Sequence, residues 1–135
     1  MSAAVAKLSI VLSTVLCTVL FTAAVWANPL LGVWKLEQQP VWMTIQLNQN
    51  ETPEAVISRN DHKPETVGHL LIKQLEQQQS ATNQWRGRIW VERLGEYRNA
   101  DLKLADTSVL EIRVKVGFIS QTVTWQKYNP AEALQ

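Results

Sequence analysis

Cysteine is almost missing from this chain: Cys17 is the only one in 135 residues. Histidine is nearly as scarce, with His62 and His69 alone, and neither sign of charge dominates, 13 basic side chains standing against 12 acidic ones. These shortages exclude a good deal. Without a cysteine after position 17 the body of the chain has no disulfide and no thiol nucleophile. Two histidines seven residues apart fall short of the three or more converging ligands that a His/carboxylate metal site needs. A balanced charge removes the electrostatic basis for binding nucleic acid or an anionic surface through bulk field alone. The Gly-x-Ser-x-Gly signature of a serine hydrolase is absent, and no nucleophile–base pair is legible. The expectation is a protein without catalytic activity and without a cofactor.

The sequence does have a leader. Lys7 and the free amine supply positive charge, Leu8 to Val25 is a predominantly apolar run without a charged residue, and Val25 and Ala27 put small residues before Asn28. That order is the one a cleaved secretory signal uses. It predicts a signal peptide over 1–27, a single domain over 28–135, and a periplasmic or secreted product with no membrane span after cleavage. An uncleaved anchor is the alternative, since the stretch reaches the lower length limit for crossing a bilayer. Cys17 follows Leu16, which is bulkier than the residue a lipid-attachment box places there. Lys7 leaves with the leader, so the remainder carries 12 basic and 12 acidic residues.

Past the leader the periodicity is that of strands. Leu110, Ile112, Val114 and Val116 alternate with Glu111, Arg113 and Lys115, which gives one buried and one wet face. Met43, Ile45 and Leu47 alternate with Trp42, Thr44 and Gln46, and Trp85, Gly87, Ile89 and Val91 with Arg86, Arg88 and Glu92. Shorter candidates are Val33–Gln38, Ala55–Ser58, His69–Leu75, Ala100–Leu104 and Gln121–Tyr128. The segment 65–79 also fits a helix in part, and a strand over Leu70–Leu75 is the reading preferred here. Turn chemistry separates most of these runs, at Asn48-Gln49-Asn50, Asn60 to Pro64, Gly95-Glu96, Asp106-Thr107-Ser108 and Gly117. Eight short antiparallel strands predict an all-β fold, a small up-and-down barrel, because closure removes unpaired edges.

Gly32-Val33-Trp34 resembles the Gly-x-Trp signature of lipocalin-type barrels. The resemblance implies that Trp34 plugs the closed end and that a basic residue near the last strand, here Lys127 in Trp125-Gln126-Lys127, packs over it. Gly32, Trp34, Trp125 and Lys127 are thus expected to be structural. The order Trp85-Arg86-Gly87-Arg88-Ile89-Trp90, Ala100 to Leu104, Leu110 to Gly117 and Val123-Thr124-Trp125 is similar to an exported bacterial family known as domain of unknown function 2147. That likeness spans most of residues 30–128 and implies fold and compartment rather than chemistry. The chain departs from it at Val91-Glu92, where the family continues Asp-Pro, and at Asn60 to Pro64, which matches the family's acidic Asn-Pro-Asp region only loosely.

An eight-stranded barrel is just wide enough to be filled by its side chains or to hold one small ligand. If it holds an apolar or amphipathic ligand, the expected lining is Met43, Ile45, Leu47, Ile89, Val91, Leu110, Ile112 and Val114. If it is filled, those side chains are core and the protein acts through its surface, as a structural or interaction partner in the envelope. Arg86, Arg88, Arg93 and Arg98, interleaved with Trp85, Trp90 and Tyr97, make the most basic patch. On a strand Arg86, Arg88 and Trp90 share one face. The ordinary reading is an outer barrel face with arginines over Trp90 and paired with Glu92 or neighbouring acids, rather than a nucleic-acid site.

Overall fold

The computed structural model describes residues 28–130; the expected signal peptide and its cleavage site, Cys17 included, lie outside them. Eight strands follow one another: β1 (Gly32–Leu36), β2 (Val41–Leu47), β3 (Pro53–Asn60), β4 (Leu70–Gln77), β5 (Gln84–Val91), β6 (Glu96–Asp106), β7 (Val109–Val116) and β8 (Ile119–Lys127). Each is antiparallel to the next, and Trp34–Leu36 of β1 pairs with Trp125–Lys127 of β8, so the sheet closes into an up-and-down barrel of the expected lipocalin-like class. Segment 65–79, which could be read as a helix, is a single 3-10 turn at Pro64–Thr66 followed by β4.

Alternation decides which side chains enter. Trp34, Met43, Ile45, Ala55, Ile72, Leu102, Leu110 and Ile112 are sealed from solvent, and no polar or charged residue is buried with them among the described residues. Four bulge-like register shifts interrupt the pattern. In β4, Gln74 and Leu75 together face Gly87 of β5, and Gln74 adopts φ 56°. The extra residue turns Leu75 inward, where it is buried.

The connections β1–β2, β3–β4, β5–β6 and β7–β8 lie at one end, which we call the mouth. The other end is plugged. Leu30 is fully buried there, and Trp34 Nε1 donates to the Leu30 carbonyl at 2.9 Å. Lys127 Nζ lies 4.7 Å from the Trp34 ring centroid and donates to the Leu31 carbonyl at 2.6 Å. Gly32 sits at φ 128°, and a Cβ there would be 2.7 Å from Lys127 Nζ. Glycine is needed for that backbone angle, and its missing side chain also leaves room for the lysine.

Tryptophan placement follows the same logic with one departure. Trp34, Trp85 and Trp125 point into the barrel and are at most 3 % exposed. Trp42, on the outward side of β2, is nevertheless buried: Arg59 and Lys35 stack on its ring and Tyr128 meets it edge-on. The stems of long cations cover apolar surface well while their heads stay wet.

Candidate functional site

A cavity of about 380 Å³ opens at the mouth. Leu36 at the end of β1, Val41 at the start of β2, Ile57 of β3, Leu71 of β4, Trp90 of β5 and Trp125 of β8 give it an apolar lining. Gln39, Asn60, Glu65, Thr66, His69 and Glu92 supply polar groups from the loops and strand ends. The size and the mixture suit a small organic ligand, for which sites of roughly 300–1,000 Å³ are usual.

Two of the lining residues carry a ring nitrogen that is sealed from the cavity itself. Trp125 Nε1 and His69 Nε2 are both buried and have no hydrogen-bond partner within the protein. Buried donors and acceptors are nearly always paired, and leaving one unpaired costs about 1–3 kcal/mol. His69 is held by Trp90, whose ring meets it edge-on at 5.1 Å, and Trp90 is held in turn by Tyr97 at 5.2 Å. The Tyr97 hydroxyl donates to the Leu70 carbonyl and its ring carries Lys73 on one face. The polar wall is ordered as well. Asn60 Oδ1 accepts from the backbone of His62 and Lys63, and Asn60 Nδ2 donates to Thr66 Oγ1 at 3.0 Å. Lys63 reaches across to Glu92 at 2.9 Å, tying the β3–β4 connection to the β5–β6 turn and holding the ammonium pKa above its ordinary value through that hydrogen bond.

The expected lining is distributed differently. Met43, Ile45, Leu110 and Ile112 are at most 1 % exposed and Ile89 is buried beside them in the packed core. Val91 and Val114 pack on that core from above and are half-buried. Leu47 does not line the interior: β2 ends there, at the plugged end, and the side chain is 48 % exposed. None of these eight side chains borders the mouth cavity. The cavity's own lining escaped the sequence because it is gathered from six strands and three connections; only the half-polar strand ends at Val41, Asn60 and His69 hinted at it.

The arginine-rich patch resolves into separate contacts. Arg86 pairs with Asp101 at 3.2 Å, Arg98 with Glu96, and Arg88 donates to the Tyr97 carbonyl. Trp85 faces inward. The cation–π pairs recorded at Trp42, Tyr97 and Trp34 replace the stacking expected on Trp90, and Glu92 takes Lys63 rather than an arginine. Among the described residues no three metal-ligating side chains come together, and no helix is long and apolar enough to cross a membrane.

Comparison of the chain with family models, with curated proteins and with solved structures gives no match, so its likeness to the exported family rests on the motifs quoted above.

Proposed function

We propose that the barrel is a non-enzymatic binding module that takes a small amphipathic molecule at its mouth. The apolar part of the ligand lies against Leu36, Val41, Ile57, Leu71, Trp90 and Trp125. Its polar end is met by the polar side chains of the rim, Gln39, Asn60 and Thr66 among them. The observation that carries this reading is a cavity of about 380 Å³ at the mouth whose apolar side chains are faced by polar ones from the loops and strand ends. Burial of apolar ligand surface supplies the drive, about 25 cal/mol per Å² before the costs of association. The barrel below the cavity supports the site as a rigid floor.

That filled floor also favours a second reading, an envelope structural or interaction protein without a ligand. One variant separates the two. Val41 borders the cavity and is half-buried, so Val41→Phe places a ring in the ligand's space. The binding module requires that the wild type enhance the fluorescence of an amphipathic naphthalene-sulfonate probe and that Val41→Phe lose the enhancement while melting as the parent does. If the native wild type gives no saturable enhancement, the binding reading is wrong.

A further inference from the structure

The exposed apolar side chains of this protein are not scattered. Val67, Leu94, Phe118, Ile119 and Val123 are large hydrophobics left in solvent, and Leu47 is the sixth. Val67 belongs to the β3–β4 connection, Leu94 to the β5–β6 turn, and Phe118 and Ile119 to the β7–β8 turn and the start of β8. Those turns all lie at the mouth; Leu47 alone is at the plugged end. Phe118 is completely exposed and Ile119 is 71 % exposed. Burial of a side chain of this size is normally worth more than any interaction it makes in water, so a turn carrying two of them implies a surface that covers them.

The same hairpin has a charge bias that the whole chain lacks. From Ile112 to Pro130 there is no acidic residue, whereas Arg113 and Lys115 stand just before the turn. Both side chains are on the exposed face of β7. They border a depression on the outside of the sheet together with Arg86, Asn99, Asp101 and Ser120. Asp101, its one carboxylate, is engaged by Arg86, while Arg113, across from it on β7, donates to Ser120 Oγ at 3.4 Å. Lys115 has no carboxylate partner among the described residues. Two apolar side chains at a tip, with Lys115 one residue pair behind them and Arg113 three, match the layering of an anionic lipid surface, where hydrocarbon lies beneath a plane of phosphates.

We propose that the protein docks mouth-first on an anionic membrane surface, with Phe118 and Ile119 entering the lipid and Arg113 and Lys115 meeting headgroup phosphates. A lipid surface is favoured over a protein partner because the apolar tips are separate. Val67, Leu94 and Phe118–Ile119 come from three turns with charged side chains such as Lys63 and Glu92 between them, and fluid lipid accepts isolated wedges where a folded partner needs a continuous patch. The proposal goes beyond the cavity reading and does not need the cavity to be occupied, although docking in this pose would present the cavity to the membrane.

The test reads the turn itself. Ser120→Cys in a Cys17→Ser background gives the full chain one thiol beside Ile119, to be labelled with an environment-sensitive nitrobenzoxadiazole dye. Vesicles of phosphatidylglycerol and phosphatidylcholine should shift the dye's emission to the blue, and spin-labelled acyl chains should quench it. Phosphatidylcholine alone should give binding weaker by tenfold or more, as should raised salt with the mixed vesicles. Adding Phe118→Ser and Ile119→Ser should abolish shift and quenching without changing the melting temperature, since neither side chain supports the core. Arg113→Gln and Lys115→Gln should each weaken binding about fivefold. No shift with mixed vesicles, or a shift that survives loss of Phe118 and Ile119, overturns the proposal, a protein partner being the remaining occupant. Probe titration without vesicles reports on the cavity separately, and the serine variants should leave it unchanged.

Discussion

Leu75 Cδ2 stands where a side chain on Gly87 would have to be: a Cβ built at Gly87 meets it at 2.8 Å and the Lys73 carbonyl at 3.1 Å. The bulge at Gln74 turns Leu75 inward, and the missing side chain opposite makes room for it. Gly87 is thus a packing residue rather than a turn residue. Gly87→Ala should cost about 1–3 kcal/mol, the usual penalty for overpacking a tight core, as read from urea unfolding midpoints.

Trp34 is the largest fully buried side chain, and its indole nitrogen satisfies the Leu30 carbonyl. Trp34→Ala should cost about 3–5 kcal/mol, which for a domain of this size is a large share of its stability. A variant that melts with the wild type would remove Trp34 from the role of plug.

Lys127 makes a prediction about alkaline pH. Burial of its ammonium against the Trp34 end of the barrel lowers its pKa from the ordinary lysine value. The unfolded chain therefore holds more protons than the folded one between the folded and the unfolded pKa, and stability contributed at this position rises with pH across that interval. Below the folded pKa both states are protonated and the dependence vanishes. The difference in unfolding free energy between wild type and Lys127→Met, which keeps an apolar stem over Trp34, should be flat near neutrality and grow toward alkaline pH. An NMR titration of the lysine side chains should find Lys127 among the first to deprotonate.

Trp125 is expected to give the mouth shape rather than polarity, because its Nε1 is sealed from the cavity. Trp125→Phe keeps an aromatic ring there, so an amphipath with an acceptor head group and a purely aliphatic ligand should lose affinity by equal factors. A loss confined to the amphipath would show that Nε1 donates to the ligand.

The strands were legible because alternation is a local property. Val109 to Val116 reads as β7 from its own eight residues, and Gly117 marks its turn. The bulges were not legible: nothing near Gln74 announces a left-handed backbone, and its cause is the missing Cβ of Gly87, on the next strand. The clasp at Trp34 was legible only through the Gly-x-Trp resemblance, which pointed to Lys127 from 93 residues away. The inward faces of β2, β5 and β7 were found, but which inward residues are floor and which border open space depends on height along the barrel axis. Height follows from register with neighbouring strands, so Met43 and Ile112 became core while Val41 and Ile57 came to border the cavity.

The seam between β1 and β8 joins the two ends of the described chain. A polypeptide synthesised from its N-terminus cannot make that seam until the last strand has emerged, and neither can one delivered to a new compartment in that direction. Until then β1 keeps a naked edge and Trp34 lacks the cation that covers it. Any nascent or truncated product that ends before Trp125-Gln126-Lys127 should accordingly be a substrate for chaperones and proteases, so that degradation discriminates finished molecules from unfinished ones by a single strand.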